Sequence, residues 1–132
     1  MLRCLKISLL ALAAIISIAA DDAAILPAPA PGLIVMAPLD VPIVDGGRLL
    51  GRMSVKLVLN CNPADVETVA AVEPQMRNAL LIAANEFARL NASLYLAIDV
   101  AALSDDLTAA VRRAGAPTLK RVLIVEVGAQ RA

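Results

Sequence analysis

The sequence predicts an α+β fold, in which helices cover one face of a small, mostly antiparallel sheet. Two runs of alternating apolar residues flank Asp45-Gly46-Gly47, the pattern of a β-hairpin. Two later stretches carry apolar residues at helical spacing, from Met76 to Leu90 and from Val100 to Val111. A Val-, Leu- and Ile-rich run between Pro117 and Gly128 closes the chain as a last strand. The predicted order is β-β-α-α-β.

The chain has 132 residues, room for one domain. Residues 1–20 read as an N-terminal membrane segment, 21–38 as a Pro/Ala-rich linker, and 39–132 as the folded α+β domain. A domain of this size buries roughly 60–65% of its unfolded surface, which leaves a narrow margin of stability. Apolar residues make up 60% of the chain, with no Trp, one Phe (Phe87) and one Tyr (Tyr95). The core must therefore be built from small aliphatic side chains.

Arg3 and Lys6 precede the apolar run Ile7 to Ala20, and Asp21 and Asp22 follow it. Positive charge before and negative charge after place the N-terminus in the cytoplasm and the domain across the membrane. The run's 14 residues cover about 21 Å as a helix, short of the ~30 Å hydrocarbon core. That length favours a cleaved signal peptide, with Ser17-Ile18-Ala19 as a small-x-small site and a periplasmic product. A short retained anchor is the competing reading, with Lys6 snorkelling and the bilayer thinning locally. In the linker, Pro27, Pro29, Pro31 and Pro38 favour an extended polyproline II path. At ~3.1 Å per residue this is a spacer, unless it is simply a flexible leader.

In the domain, Leu39, Val41 and Ile43 form one apolar face of the first strand, and Pro42, lacking an N–H, marks it as an edge. Arg48 to Asn60 forms the second strand, with Met53, Val55, Leu57 and Leu59 on one face. Asn62-Pro63 starts a helix, with Asn62 as cap and Asp65 and Glu67 in the first turns. Pro74 imposes a kink or a fresh start, after which Met76, Leu80, Ala83, Phe87 and Leu90 share a face. Ser93 to Ile98 is a short strand or an extended connection. Asp99 caps the second helix, whose face holds Val100, Leu103, Leu107 and Val111; Arg112 and Arg113 suit its C-terminal dipole, and Gly115 ends it. Leu119 to Val127 is the last strand, buried mostly on one face.

The chemistry-bearing residues are sparse. The chain has no histidine, which removes the commonest general base and metal ligand. Cys4 and Cys61 lie on opposite sides of the expected membrane, so neither an intrachain disulfide nor a zinc site is expected. Cys61 reads as a half-buried loop cysteine. Gly46-Gly47 is too short for a phosphate loop. Asp105 and Asp106 point about 100° apart on a helix and do not share a proton. Asn91-Ala92-Ser93 matches a glycosylation sequon of a kind that arises by chance. The 12 basic and 12 acidic residues give zero net charge. Arg48, Arg52, Lys56, Arg112, Arg113, Lys120 and Arg121 form no stripe with stacking aromatics, which speaks against nucleic-acid binding. No catalytic, cofactor-binding or metal-binding residue is assigned, no small-molecule substrate is expected, and the chain reads as non-enzymatic.

Two stretches carry a resemblance. Pro74-Gln75-Met76-Arg77-Asn78-Ala79-Leu80-Leu81 is similar to a proline, an apolar-basic-Asp/Asn triplet and two aliphatics in the FliL family of flagellar basal-body-associated stator proteins. Lys120-Arg121-Val122-Leu123-Ile124-Val125-Glu126-Val127-Gly128-Ala129-Gln130 resembles that family's closing strand, and Arg52 to Leu59 matches in type and place. The similarity spans about residues 40 to 130. Two features depart from the family pattern: Ile124 and Val127 stand where aromatics are usual, and Ile7 to Ala20 is short for its membrane segment. The resemblance implies a stomatin-like domain and a retained inner-membrane anchor. It also implies self-association into a ring beside the stator proteins, in support of motility and chemotaxis. The alternative is a secreted or anchored envelope protein of the same fold without a flagellar role. For the ring contact, the sequence nominates the edge strand near Val41, and Arg112 and Arg113 against Asp105 of a neighbour.

Overall fold

The structure, a computed structural model, describes residues 30–132. The expected membrane segment and most of the expected linker lie outside those residues. The elements run β1 (Leu33–Val35), β2 (Leu39–Asp45), β3 (Arg48–Asn60), α1 (Val66–Ala71), α2 (Glu73–Asn91), α3 (Val100–Arg113) and β4 (Arg121–Arg131). The α+β class holds, with one antiparallel sheet and the helices on one of its faces.

The 13-residue β3 is the spine of the sheet. Along one side it pairs with β4 from Gly51 opposite Arg131 to Asn60 opposite Arg121. Along the other it pairs with β2, Leu39 opposite Val55, and with β1, Leu33 opposite Asn60. Since β1 and β2 meet different stretches of β3, they share one edge as a single interrupted strand. The interruption is Met36 to Pro38, and Met36 still donates to the Leu57 carbonyl at 3.3 Å. The end of the segment expected to be linker is therefore part of the sheet. Pro38 marks the break between β1 and β2 rather than the edge of the domain.

Gly46 and Gly47 turn the hairpin with φ of 56° and 76°. Two successive left-handed residues match the twist of the strands, which explains why glycine occupies both positions. Farther along β3, Gly51 lies so close to β4 that an added Cβ would collide with the Gln130 carbonyl.

One face of the sheet is apolar, from Leu39, Val41 and Ile43 through Met53, Val55, Leu57 and Leu59 to Val122. Against it pack Met76, Leu80, Ala84, Phe87 and Ala88 of α2 and Leu103, Leu107 and Val111 of α3. The opposite face carries Asp40, Arg52, Lys56 and Glu126, all exposed.

Several expectations are refined. Pro74 starts a new helix: it stands in the first turn of α2, where a missing N–H costs nothing, and α1 has ended at Ala71. Asn62 precedes the 3-10 turn Pro63–Asp65, but its side chain makes no capping bond. Asp99 does cap α3, its Oδ1 accepting from the Ala102 N–H at 3.0 Å. Leu90 and Val100 are exposed. The buried residues of α2 centre on a direction about 90° around the helix from Leu90, because Ala84 and Ala88 face the sheet in its place. Ser93 to Ile98 is an irregular connection in which Ser93 Oγ accepts from the Tyr95 N–H at 3.1 Å.

The last strand runs to Arg131, beyond the expected Val127, since β3 offers partners as far as Gly51. Its register shifts once: Lys56 faces Glu126 and Leu57 faces Ile124, leaving Val125 as the extra, bulged residue. The bulge turns Val127 and Ala129 to the helix side, in phase with Val122 and Ile124, while Val125 is 68% exposed.

Candidate interaction surfaces

Among the described residues, no three His, Cys, Asp or Glu side chains lie together as a metal site. Cys61 is buried at the end of β3, deeper than the half-buried position expected, and its N–H donates to the Gly32 carbonyl at 2.8 Å. Burial raises its thiol pKa. The nearby Asp65 carboxylate raises it further, and Lys120 opposes both. A thiol held protonated in this way is a poor nucleophile.

Two of the three charges nominated for a contact between copies have partners within the chain. Asp105 accepts from Arg121 at 2.7 Å. The Arg112 guanidinium folds back on the Leu119 carbonyl at 2.8 Å and the Lys120 carbonyl at 2.6 Å. Arg112 therefore holds the turn between α3 and β4. Arg113 and Asp106 remain exposed.

The edge near Val41 is blunted by three devices. Pro42 offers no N–H. Arg77 of α2 donates to the Ala37 carbonyl at 2.9 Å and the Pro38 carbonyl at 3.1 Å. A register shift between Ile43 and Val44 then bends the strand. All three discourage a further strand from pairing there.

The β4 edge is sealed at its start by two buried hydroxyls that the sequence reading passed over. Ser104 Oγ donates to the Val122 carbonyl at 2.6 Å, and Thr108 Oγ1 accepts from the Val122 N–H at 2.9 Å. Thr108 also donates to the Ser104 carbonyl at 2.7 Å, and Arg121 Nε reaches Ser104 Oγ at 3.2 Å. The signal was present as two hydroxyl residues four apart on a helix face otherwise made of Leu103, Leu107 and Val111. Residues four apart on a helix stack above one another, so the pair aims at one point on the neighbouring strand.

Open grooves flank the helices. One of about 590 Å³ runs between β2 and α2 and is lined by Pro42, Val44, Ile82, Asn85, Glu86 and Arg89. Glu86 accepts from Arg89 there at 2.6 Å, and that hydrogen bond keeps its carboxyl below the usual range. Another of about 340 Å³ lies beside β4, between Val127–Ala129 and the Ser93–Val100 stretch. Tyr95 and Leu96, both more than 70% exposed, project from that stretch.

No family model, curated protein or solved structure matches this chain. Among the described residues, no helix is long and apolar enough to cross a membrane.

Proposed function

We propose that the protein is a non-enzymatic, flagellar basal-body-associated protein of the bacterial inner membrane, supporting stator function through periplasmic self-association. The observation that carries this reading is the pair of stretches resembling the FliL family, Pro74 to Leu81 and Lys120 to Gln130. Their positions are consistent with it: the first starts α2 and places Met76 and Leu80 in the core, and the second is β4. In this reading residues 1–20 anchor the chain, residues 21–32 hold the domain off the membrane, and the fold is stomatin-like. The partners are stator proteins and further copies of the chain. Function then lies in position and surface, which suits a domain whose polar network serves its own α3–β4 junction.

A deletion strain tests the proposal. Swimming should be reduced and restored by the intact gene, with the protein recovered in the inner membrane. Unchanged motility would favour the second reading, an envelope protein of the same fold without a motor role. The short apolar run Ile7 to Ala20 and the absence of aromatics from β4 are the features that support that alternative.

A further inference from the structure

We infer that β4 pairs with β4 of a second copy, antiparallel across a two-fold axis at Gly128, joining two four-stranded sheets into one. The inference stands apart from the motor reading, since it rests on the hydrogen-bonding pattern of the sheet edges alone.

In β4 the residues facing the helices turn their backbone groups away from β3. Val122 shows this directly, because its N–H and carbonyl are taken by Thr108 and Ser104. Beyond the Val125 bulge the same outward orientation falls to Val127, Ala129 and Arg131, while the residues between them pair with β3. The outward groups of Val127 and Ala129 have no hydrogen-bond partner among the described residues. α3 thus covers the first part of this edge, while beside the last part the Ser93–Val100 stretch stands off across a groove of about 340 Å³.

Only an extended backbone offers donors and acceptors at the matching repeat. Within this chain the choice of strand is narrow. The β1/β2 edge is closed by Pro42, the Arg77 fork and the Ile43/Val44 shift. A head-to-tail pairing of β2 on β4 is therefore disfavoured, and the complement of an open β4 edge is another β4.

The sequence of the straight run suits self-pairing. An axis through Gly128 sets Val127 opposite Ala129 of the second copy, outward group to outward group. It also sets Glu126 opposite Gln130, a carboxylate facing an amide donor, and no like charges meet across the strands. The two glycines meet in a narrow, non-hydrogen-bonded pair, where the backbones approach most closely. Flanking the edge, Leu96 and Val125 are about 70% exposed and Val100 is 42% exposed, apolar surface that the pairing would help to cover.

The test is the oligomeric state of the full chain in detergent, by sedimentation over a range of concentrations. The wild type should form a dimer. Ala129→Pro removes an outward donor that β3 does not use, and should weaken the dimer by about tenfold or more. Gly128→Glu sets two carboxylates face to face on the axis and should do the same. No atom lies within 4 Å of a Cβ added at Gly128, so this variant keeps its fold and decides the matter if the proline disturbs the monomer. A wild type that stays monomeric at the highest concentration reached would overturn the inference. So would a dimer indifferent to Gly128→Glu, since that association would then use another surface. Neither result bears on motility, so the two proposals fail separately.

Discussion

Thr108 closes two bonds with one hydroxyl, donating to the Ser104 carbonyl and accepting from the Val122 N–H. Replacement by valine keeps the shape and leaves a buried N–H unsatisfied, a loss of about 1–3 kcal/mol. Thr108→Val should therefore lower the midpoint of chemical denaturation, and Val122 should lose amide-exchange protection before the β3–β4 ladder does. Cys61 makes a prediction of opposite kind, in alkaline solution. Its folded pKa lies above the ordinary 9.0, so above pH 9 the unfolded chain loses the proton that the folded chain retains. Stability is then unaffected by this group below about pH 8 and falls as pH rises through 9 and beyond. Cys61→Ala should remove that part of the alkaline slope, and its persistence in a denaturation series would assign the slope to other groups. A thiol reagent at neutral pH should label Cys61 only after unfolding.

The elements were legible where one rule governed the residues. The strict alternation of Leu39 to Ile43 and of Met53 to Leu59 gave two strands and their buried faces. Asp45-Gly46-Gly47 gave the turn, and Asp99 gave a cap that the structure shows. Misreadings came where two rules competed. Pro27, Pro29 and Pro31 made residues 21–38 look uniformly extended, which masked Leu33–Val35 as a strand. Leu90 fits the helical period, but Ala84 and Ala88 let α2 approach the sheet on the other side of its apolar stripe, and periodicity alone does not choose between them. Gly128 made the last strand look as though it ended at Val127, because glycine commonly bounds a strand, whereas β3 offers partners as far as Gly51. Of the nominated surfaces, Pro42 does mark an edge, whereas Arg112 and Asp105, which the sequence pattern alone leaves free, each have a partner within the chain. Phe87 tests the α2 face as a whole. It is 2% exposed and the core's one aromatic side chain, so Phe87→Ala should cost about 3–5 kcal/mol through lost burial and a cavity. That is a large part of the stability of a small domain. An unchanged melting temperature would show that α2 does not seat this face on the sheet.

At the scale of the whole molecule, the order of elements fixes a direction. The chain enters the sheet at Leu33, opposite Asn60, and the hairpin turn lies at the other end of the 13-residue β3, about 40 Å away. An antiparallel β4 pairing reverses this direction between the two copies, so a pair anchored in one membrane lays its strands along the membrane plane, with the two-fold axis along the membrane normal. Anchoring confines the copies to a plane and raises their effective concentration, so a weak lateral contact suffices for assembly. A two-fold β4 pairing stops at dimers, and a ring needs a second, heterologous contact. With the β2 edge and Arg112 engaged internally, the exposed surface that offers one is the groove between β2 and α2, where Ile82 is 63% exposed. Crosslinking of the full-length protein in its native membrane should therefore give species larger than dimers. Ile82→Glu should reduce them to dimers, since it charges the groove and leaves β4 untouched. Dimers alone in the wild type would end the ring reading while leaving the β4 contact intact. Higher species that survive Ile82→Glu would place the heterologous contact elsewhere. Mass spectrometry of the same membranes should recover peptides containing Arg3 or Lys6, because a chain cut after Ala19 would leave no anchor to hold the copies in one plane.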